Sequence, residues 1–125
     1  MTDFYKDKKV FITGCTGFKG SWLCQMLICL GTKQIIGYSL DPPTEPSLFN
    51  ILKLKNKITY IKGDILNDKK LKNSIKKYSP DIIIHLAAQP LVLESYKYPQ
   101  NTFNTNVMGT VNVLEASKHS SVKCI

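Results

Sequence analysis

The chain has no arginine: all 17 of its basic residues are lysines. Nucleic-acid surfaces rely on guanidinium groups for bidentate contacts to bases and phosphates. The formal charge of +8 instead comes from lysines scattered over helix faces and loops, as in Lys69-Lys70, Lys72 and Lys76-Lys77. That excess reads as solvated surface, and no nucleic-acid partner is expected. Long apolar runs are also missing. None approaches the roughly 18 residues that span a bilayer, and the N-terminal segment from Met1 to Lys6 lacks the apolar core of a secretory signal. The expectation is a cytoplasmic chain with no membrane partner. Cys15, Cys24, Cys29 and Cys124 form no C-x-x-C pair and have no histidine at ligand spacing, so no metal is expected. Cys24 and Cys29, on one amphipathic segment, read as small core or near-core residues.

What the chain does have is glycine in one arrangement. Gly14, Gly17 and Gly20 close the apolar run Val10-Phe11-Ile12 and open an amphipathic segment. Glycines at such a strand-to-helix crossing give a tight turn, backbone approach to a phosphate and close helix packing, while the helix N-terminus offers free N–H groups to an anion. Gly14, Gly17 and Gly20 are therefore assigned to the pyrophosphate of a dinucleotide, and Thr16, Phe18 and Lys19 beside them to the same cofactor site.

Apolar runs of strand length alternate with stretches of helical period, which predicts an α/β fold: a Rossmann-type, doubly wound parallel sheet. Strands are expected at 9–13, 34–39, 58–61 and 81–86, with the start of a fifth at 122–125. A helix over 18–30 is expected to turn Phe18, Trp22, Leu23, Met26, Leu27 and Leu30 to one face. Ser47 caps a short helical piece, and Asn67 or Asp68 starts a helix with Leu71, Ile75 and Tyr78 inward. A last helix is expected over 101–118, with Phe103, Val107, Val111 and Leu114 at helical spacing. The incomplete sheet edge is expected to favour aggregation.

The adenosine ribose of a dinucleotide asks for a hydrogen-bond acceptor at the end of the second strand. Asp41 reaching back and Ser39 are the two candidates; Asp41 reads equally well as a turn residue before Pro42. With no arginine to hold a 2′-phosphate, NAD is favoured over NADP, with Lys33 or Lys55 as the substitutes in the other case. Small Ala87 and Ala88 after the Ile82-Ile83-Ile84 strand leave room for a flat ligand. His85 reads as a satisfied core histidine ahead of a general base. Gly109 within a helix asks for a close packing contact, and Asn106 for either a backbone contact or a water near the nicotinamide.

The G-x-x-G-x-x-G spacing resembles the extended short-chain dehydrogenases/reductases. Taken with the blocks at 37–49, Gly63-Asp64-Ile65, His85 to Val92 and Thr105 to Ala116, the chain resembles the N-terminal part of the CDP-glucose 4,6-dehydratases, lyases of the NAD-dependent epimerase/dehydratase group. The resemblance implies bound NAD, a CDP-glucose or related nucleotide-sugar substrate, hydride removal from sugar C4, loss of water across C5 and C6, and hydride return to C6. It implies a place in deoxysugar and polysaccharide synthesis and a homo-oligomeric full-length protein. It places Asp64 and Ile65 at adenine, Leu86, Ala87 and Ala88 along the ribose, and Gln89 near the sugar. Two positions depart from the pattern: Cys15 stands where relatives have His, and Leu93 where they have Arg. The family's proton-transferring Tyr-x-x-x-Lys pair follows its fifth strand. The chain is read as lacking a Tyr-x-x-x-Lys at any of its tyrosines, Tyr5 included, so no catalytic residue is assigned. A length of 125 residues is short for a dinucleotide enzyme. Residues 1–125 are expected to form the N-terminal part of an NAD(P)-binding Rossmann domain, inactive alone, with the catalytic remainder and substrate domain outside them. A related epimerase or reductase fragment, or a non-catalytic NAD-binding remnant, is the alternative.

Overall fold

A computed structural model describes residues 3–118 and 120–125. Its centre is a parallel sheet of β1 (Lys9–Thr13), β2 (Gln34–Ser39), β3 (Thr59–Lys62) and β4 (Ile82–His85), in the spatial order β3-β2-β1-β4. Cys124 pairs in parallel with Ile82, its carbonyl accepting from the Ile83 N–H at 2.9 Å. The expected fifth strand therefore begins beside β4, and the order reverses across β1 and β4 as in a doubly wound sheet.

Period-two alternation sends neighbouring strand residues to opposite faces. Val10, Ile12 and Ile35 pack with Cys24, Leu27, Phe49 and Leu54 on the side of α1 (Phe18–Cys29) and α2 (Leu48–Ile51). Phe11, Ile36, Tyr38 and Ile83 pack on the other side with Leu71 and Ile75 of α3 (Asp68–Tyr78) and with Val113 and Ala116. Both faces are covered, which is why the strands read as unbroken apolar runs. Asn67 caps α3, its Oδ1 accepting from the Lys70 N–H at 3.0 Å, and Ser47 caps α2 through the Asn50 N–H. Leu71 and Ile75 are buried and Tyr78 is partly buried, as the periodicity predicts.

Helix α1 departs from expectation. Its inward residues are Gly20, Ser21, Cys24 and Leu27, whereas Phe18, Trp22 and Met26 are 72%, 54% and 53% exposed. The helix lies so close to the β1 loop at Gly20 that only small side chains fit beneath its first turns, and the bulky ones turn outward. Cys24 is buried as read, but Cys29 is exposed.

The segment after β4 contains α4 (Val92–Lys97), α5 (Pro99–Phe103), a π-helical turn (Asn104–Met108) and α6 (Gly109–Ser117). The last three run on without a break, so the helix expected over 101–118 is present from Pro99 to Ser117 with a π turn inside it. The π turn shifts the phase of the helical faces. Gly109, Val113, Ala116 and Ser117 face inward, and Phe103, Val107, Val111 and Leu114 are left exposed. Gly109 supplies the close contact expected of it: a Cβ there would lie 2.3 Å from Ile65 Cδ1. No helix among the described residues is long and apolar enough to cross a membrane.

Candidate functional site

Ligands of open α/β sheets bind beyond the carboxyl ends of the strands, where β1 hands over to the glycine loop. Gly14 continues the ladder, its N–H donating to the Tyr38 carbonyl at 3.0 Å. It then turns with φ +72°, and a Cβ would lie 2.7 Å from the Ala87 nitrogen. A Cβ on Gly20 would lie 2.2 Å from the Gly14 carbonyl oxygen. Both glycines are thus demanded by the protein's own packing. Gly17 is not: a Cβ there would meet only the Gly14 oxygen, at an ordinary 3.5 Å. Gly17 is also the N-cap of α1, with no side-chain cap and no acidic residue in the first turn. The positive dipole end of α1 therefore has no side-chain cap or acidic residue of its own to offset it, and Phe18 and Lys19 beside it are exposed. A side chain at Gly17 would stand at this open helix end, since a Cβ there meets only the Gly14 oxygen.

Cys15, between these glycines, points the other way. Its thiol is fully buried and fits against Gly37, where a Cβ would come within 2.5 Å of the sulfur. Burial, then the neighbouring Cys24, pushes the Cys15 thiol up to about 12. It is a neutral core group at ordinary pH, directed away from that helix end.

At the end of β2, Thr16 and Ser39 are joined by their hydroxyls at 2.8 Å, and Thr16 Oγ1 donates to the Leu40 carbonyl at 3.0 Å. The Thr16 proton is committed to Leu40, so the Ser39 hydroxyl donates to Thr16; both residues are buried. Tyr60 OH also donates toward the Ser39 and Leu40 carbonyls, at 3.3 and 3.2 Å. The Tyr60 phenol is pushed up to about 12 by burial first, then by the neighbouring Cys15 and Asp41, so it stays a donor. Asp41 follows this locked segment as an exposed carboxylate paired with Lys62 at the end of β3. Lys33 and Lys55 precede β2 and β3 and so lie toward the opposite end of the parallel sheet.

Asp64 and Ile65 follow β3. The Asp64 carboxylate accepts from the Leu66 N–H at 2.9 Å, and its carbonyl accepts from Tyr38 OH at 2.9 Å. The Ile65 side chain is buried beneath Gly109, and its carbonyl accepts from Asn112 Nδ2 at 3.0 Å.

A polar chain organises the end of β4. Thr13 Oγ1 lies 2.6 Å from His85 Nδ1 and accepts from the Leu86 and Ala87 N–H groups at 3.1 and 3.2 Å. His85 Nε2 lies 3.1 Å from Thr110 Oγ1, whose own proton goes to the Asn106 carbonyl at 2.7 Å. Proton accounting fixes the neutral Nε2–H tautomer: Nε2 donates to Thr110 and Nδ1 accepts from Thr13. Burial lowers the His85 pKa. Both ring nitrogens are thus occupied, as a core histidine requires, and neither is free for acid–base work. Asn106 takes the backbone role: its Oδ1 accepts from the Gln89 N–H at 2.8 Å and its Nδ2 donates to the Gln89 carbonyl at 3.1 Å. The Gln89 side-chain amide donates to Thr102 Oγ1 at 2.9 Å and to the Leu91 carbonyl. Leu86, Ala87 and Ala88 form the strand exit beside Gly14. Leu93 is exposed on α4.

One sequence expectation needs correction. Tyr5 and Lys9 do carry the Tyr-x-x-x-Lys spacing. They do not form the catalytic pair, because Lys9 opens β1 at the amino end of the sheet, its Nζ on the Tyr78 carbonyl at 3.4 Å. Residues that sequence reasoning passed over are Lys62, Thr13 and Thr110. Lys62 is findable from the parallel register that sets it beside Ser39; Thr13 and Thr110 carry no motif signal.

Comparison with known proteins follows the same outline. A family profile described as GDP-mannose 4,6 dehydratase matches residues 11–125. The CDP-glucose 4,6-dehydratase of Salmonella typhimurium is 51% identical over 116 residues, covering 93% of this chain and 32% of that protein. An epimerase from Methanothermobacter thermautotrophicus superposes with a TM-score of 0.78 at 29% identity, over 97% of this chain and 34% of the other. UDP-glucose 4-epimerase from Brucella ovis, solved in complex with NAD, gives 0.72 at 28% identity, over 87% and 31%. The chain spans about a third of the length of each of these proteins.

Proposed function

Since the chain belongs to the GDP-mannose 4,6-dehydratase family, we propose that it is the NAD-binding part of a nucleotide-sugar dehydratase, a cytoplasmic lyase of deoxysugar and polysaccharide synthesis. The full-length reaction is the conversion of CDP-glucose to CDP-4-keto-6-deoxyglucose and water, a choice supported by the 51% identity to a CDP-glucose dehydratase. Residues 1–125 are the N-terminal part of the Rossmann domain, and the proton-transferring pair and substrate domain belong to sequence outside them. The full-length protein is a homo-oligomer.

The observation that carries this reading is the difference among the three glycines. Protein packing demands Gly14 and Gly20, whereas the open side of Gly17 is accounted for by a ligand at the α1 N-terminus. In the proposed complex Gly14, Thr16, Gly17, Phe18, Lys19 and Gly20 surround the pyrophosphate. Asp41, with Ser39 committed behind it, accepts from the adenosine ribose, and Asp64 and Ile65 border the adenine. Leu86, Ala87 and Ala88 form the wall toward the second ribose, and Asn106 fixes the main chain of Gln89 facing the sugar. When bound, NAD supplies the hydride acceptor and, once reduced, the donor. The chain's own contribution is to bind and orient.

Calorimetric titration of the 125-residue chain with NAD, beside circular dichroism, tests this. Binding is expected in the wild type and about tenfold weaker or worse in Gly17→Ala, since a methyl group displaces a phosphate contact. A folded chain that takes up no NAD, or a Gly17→Ala variant that binds it equally, overturns the reading. CDP-glucose incubated with the chain alone is expected to remain unconverted by NMR.

An epimerase is the second reading, favoured by the two epimerase structures. It is separated from the first by the product that a full-length protein forms.

A further inference from the structure

The two turns that enter β2 and β3 stand side by side at the amino end of the sheet, away from the glycine loop, with a cleft of about 330 Å³ between them. We propose that this cleft is a second ligand site, for a small organic anion: a phosphate or carboxylate head on a short apolar body.

Local chain geometry builds both walls. On one side Gly31, at φ +70°, ends α1: its N–H donates to the Ile28 carbonyl at 3.0 Å, and the Thr32 N–H donates to the Leu27 carbonyl at 3.1 Å. These bonds satisfy carbonyls of the last turn and bring Thr32 and Lys33 to the cleft. On the other side a 3₁₀ turn (Leu54–Asn56) closes with the Lys57 N–H on the Leu54 carbonyl at 2.9 Å, which brings Lys57 to the facing wall. Between the turns, Gln34 Nε2 reaches from β2 to Thr59 Oγ1 of β3 at 3.4 Å.

Three features give the ligand its chemistry. The apolar part is Ile28, Ile35 and Ile58, which line the cleft and pack into the core on the α1 side of the sheet. A cleft of this size with an apolar floor and a few polar groups is the usual form of a small-molecule site. The charge comes from Lys33 and Lys57. Both are exposed, neither has an ion pair among the described residues, and no Asp or Glu lines the cleft. Two ammonium groups without a counter-charge attract an anion. The third feature is Thr32, whose hydroxyl oxygen is buried with no hydrogen-bond partner. A buried hydroxyl left unpaired costs stability, and an anionic oxygen in the cleft gives this one an acceptor after a turn about χ1.

The site does not depend on the NAD reading, and its test needs no NAD. The isotope-labelled chain is titrated with phenyl phosphate at low ionic strength and followed by amide NMR, beside inorganic phosphate and phenol, with circular dichroism confirming that each variant is folded. Saturable shifts are expected at Thr32 to Gln34 and Asn56 to Thr59, with phenyl phosphate bound about tenfold more tightly than phosphate or phenol. Lys33→Gln combined with Lys57→Gln is expected to weaken it about tenfold, whereas Lys72→Gln with Lys76→Gln on α3 removes the same charge and leaves binding unchanged. Thr32→Val is expected to raise the urea midpoint, because it removes an unpaired hydroxyl, and to weaken phenyl phosphate about threefold. The proposal is overturned by the absence of saturable shifts at the cleft, by phosphate or phenol binding as tightly as phenyl phosphate, by an equal loss in the α3 double variant, or by unchanged binding in Thr32→Val.

Discussion

The glycine crossing between β1 and α1 and the strand exit after β4 lie side by side, touching where Gly14 meets Ala87, yet they are built by opposite means. At the crossing, shape comes from the absence of side chains: Gly14 and Gly20 let backbone approach backbone at distances no Cβ tolerates. At the strand exit, shape comes from side chains. Thr13, His85, Thr110 and Asn106 form one relay of hydrogen bonds from β1 through β4 to the π turn and back to Gln89. Packing of the first kind tolerates no added atom, whereas a relay of the second kind can lose a member and still fold, at the cost of unpaired polar groups.

The sharpest way to break this contrast is to add a methyl group to the crossing. Gly14→Ala combines a left-handed backbone with overpacking against Ala87 and is expected to cost about 3 kcal/mol or more in urea unfolding. Gly20→Ala, with its clash against the Gly14 carbonyl, belongs in the same range. His85→Ala should cost less, about 2 kcal/mol, because it strands the buried Thr13 hydroxyl without steric conflict.

His85 also gives the relay a pH signature that the crossing lacks. Its folded pKa lies below the ordinary value of 6.5 because of burial, so the unfolded chain takes up a proton first as pH falls. The stability that depends on neutral His85 is complete above the ordinary value. It declines as pH drops below it and levels off once the folded pKa is passed. Urea midpoints between neutral and mildly acidic pH are expected to fall for the wild type and to fall less for His85→Gln. Equal slopes would remove His85 from the relay's account.

Asn106→Ala is milder still, about 1 kcal/mol, since it releases two exposed hydrogen bonds to Gln89 that water replaces. The smallest stability effect belongs to Gly17→Ala, expected below about 1 kcal/mol because Ala is only a poorer N-cap there. That variant sharpens the contrast most, since the crossing then contains two glycines for folding and one for the ligand. A large unfolding shift for Gly17→Ala would place all three in the first class.

Much of this was legible in the residues. The β1, β2 and α3 boundaries followed from period-two and period-3.6 patterns, and the caps at Ser47 and Asn67 from their side-chain chemistry. The glycine loop was legible as a strand-to-helix crossing. The orientation of α1 was not: periodicity shows that large apolar side chains share a stripe, but the burial of that stripe depends on how closely the helix sits on the sheet. Gly20 sets that distance, and it leaves Trp22 outside. The last helix was legible in its span but not in its buried face, because one π turn moves every later residue to a different face.

The sequence by itself determined the parallel α/β order and the strand-to-helix crossing at the glycines, because periodicity and turn chemistry act within a few residues of each position. Only the tertiary structure decided which glycine the packing does not demand, that Asp41 meets Lys62, and that His85 has both nitrogens engaged. The Asp41–Lys62 pair and the two His85 contacts join residues 21, 72 and 25 apart in the chain, brought together by the fold. No local pattern encodes the distance between them.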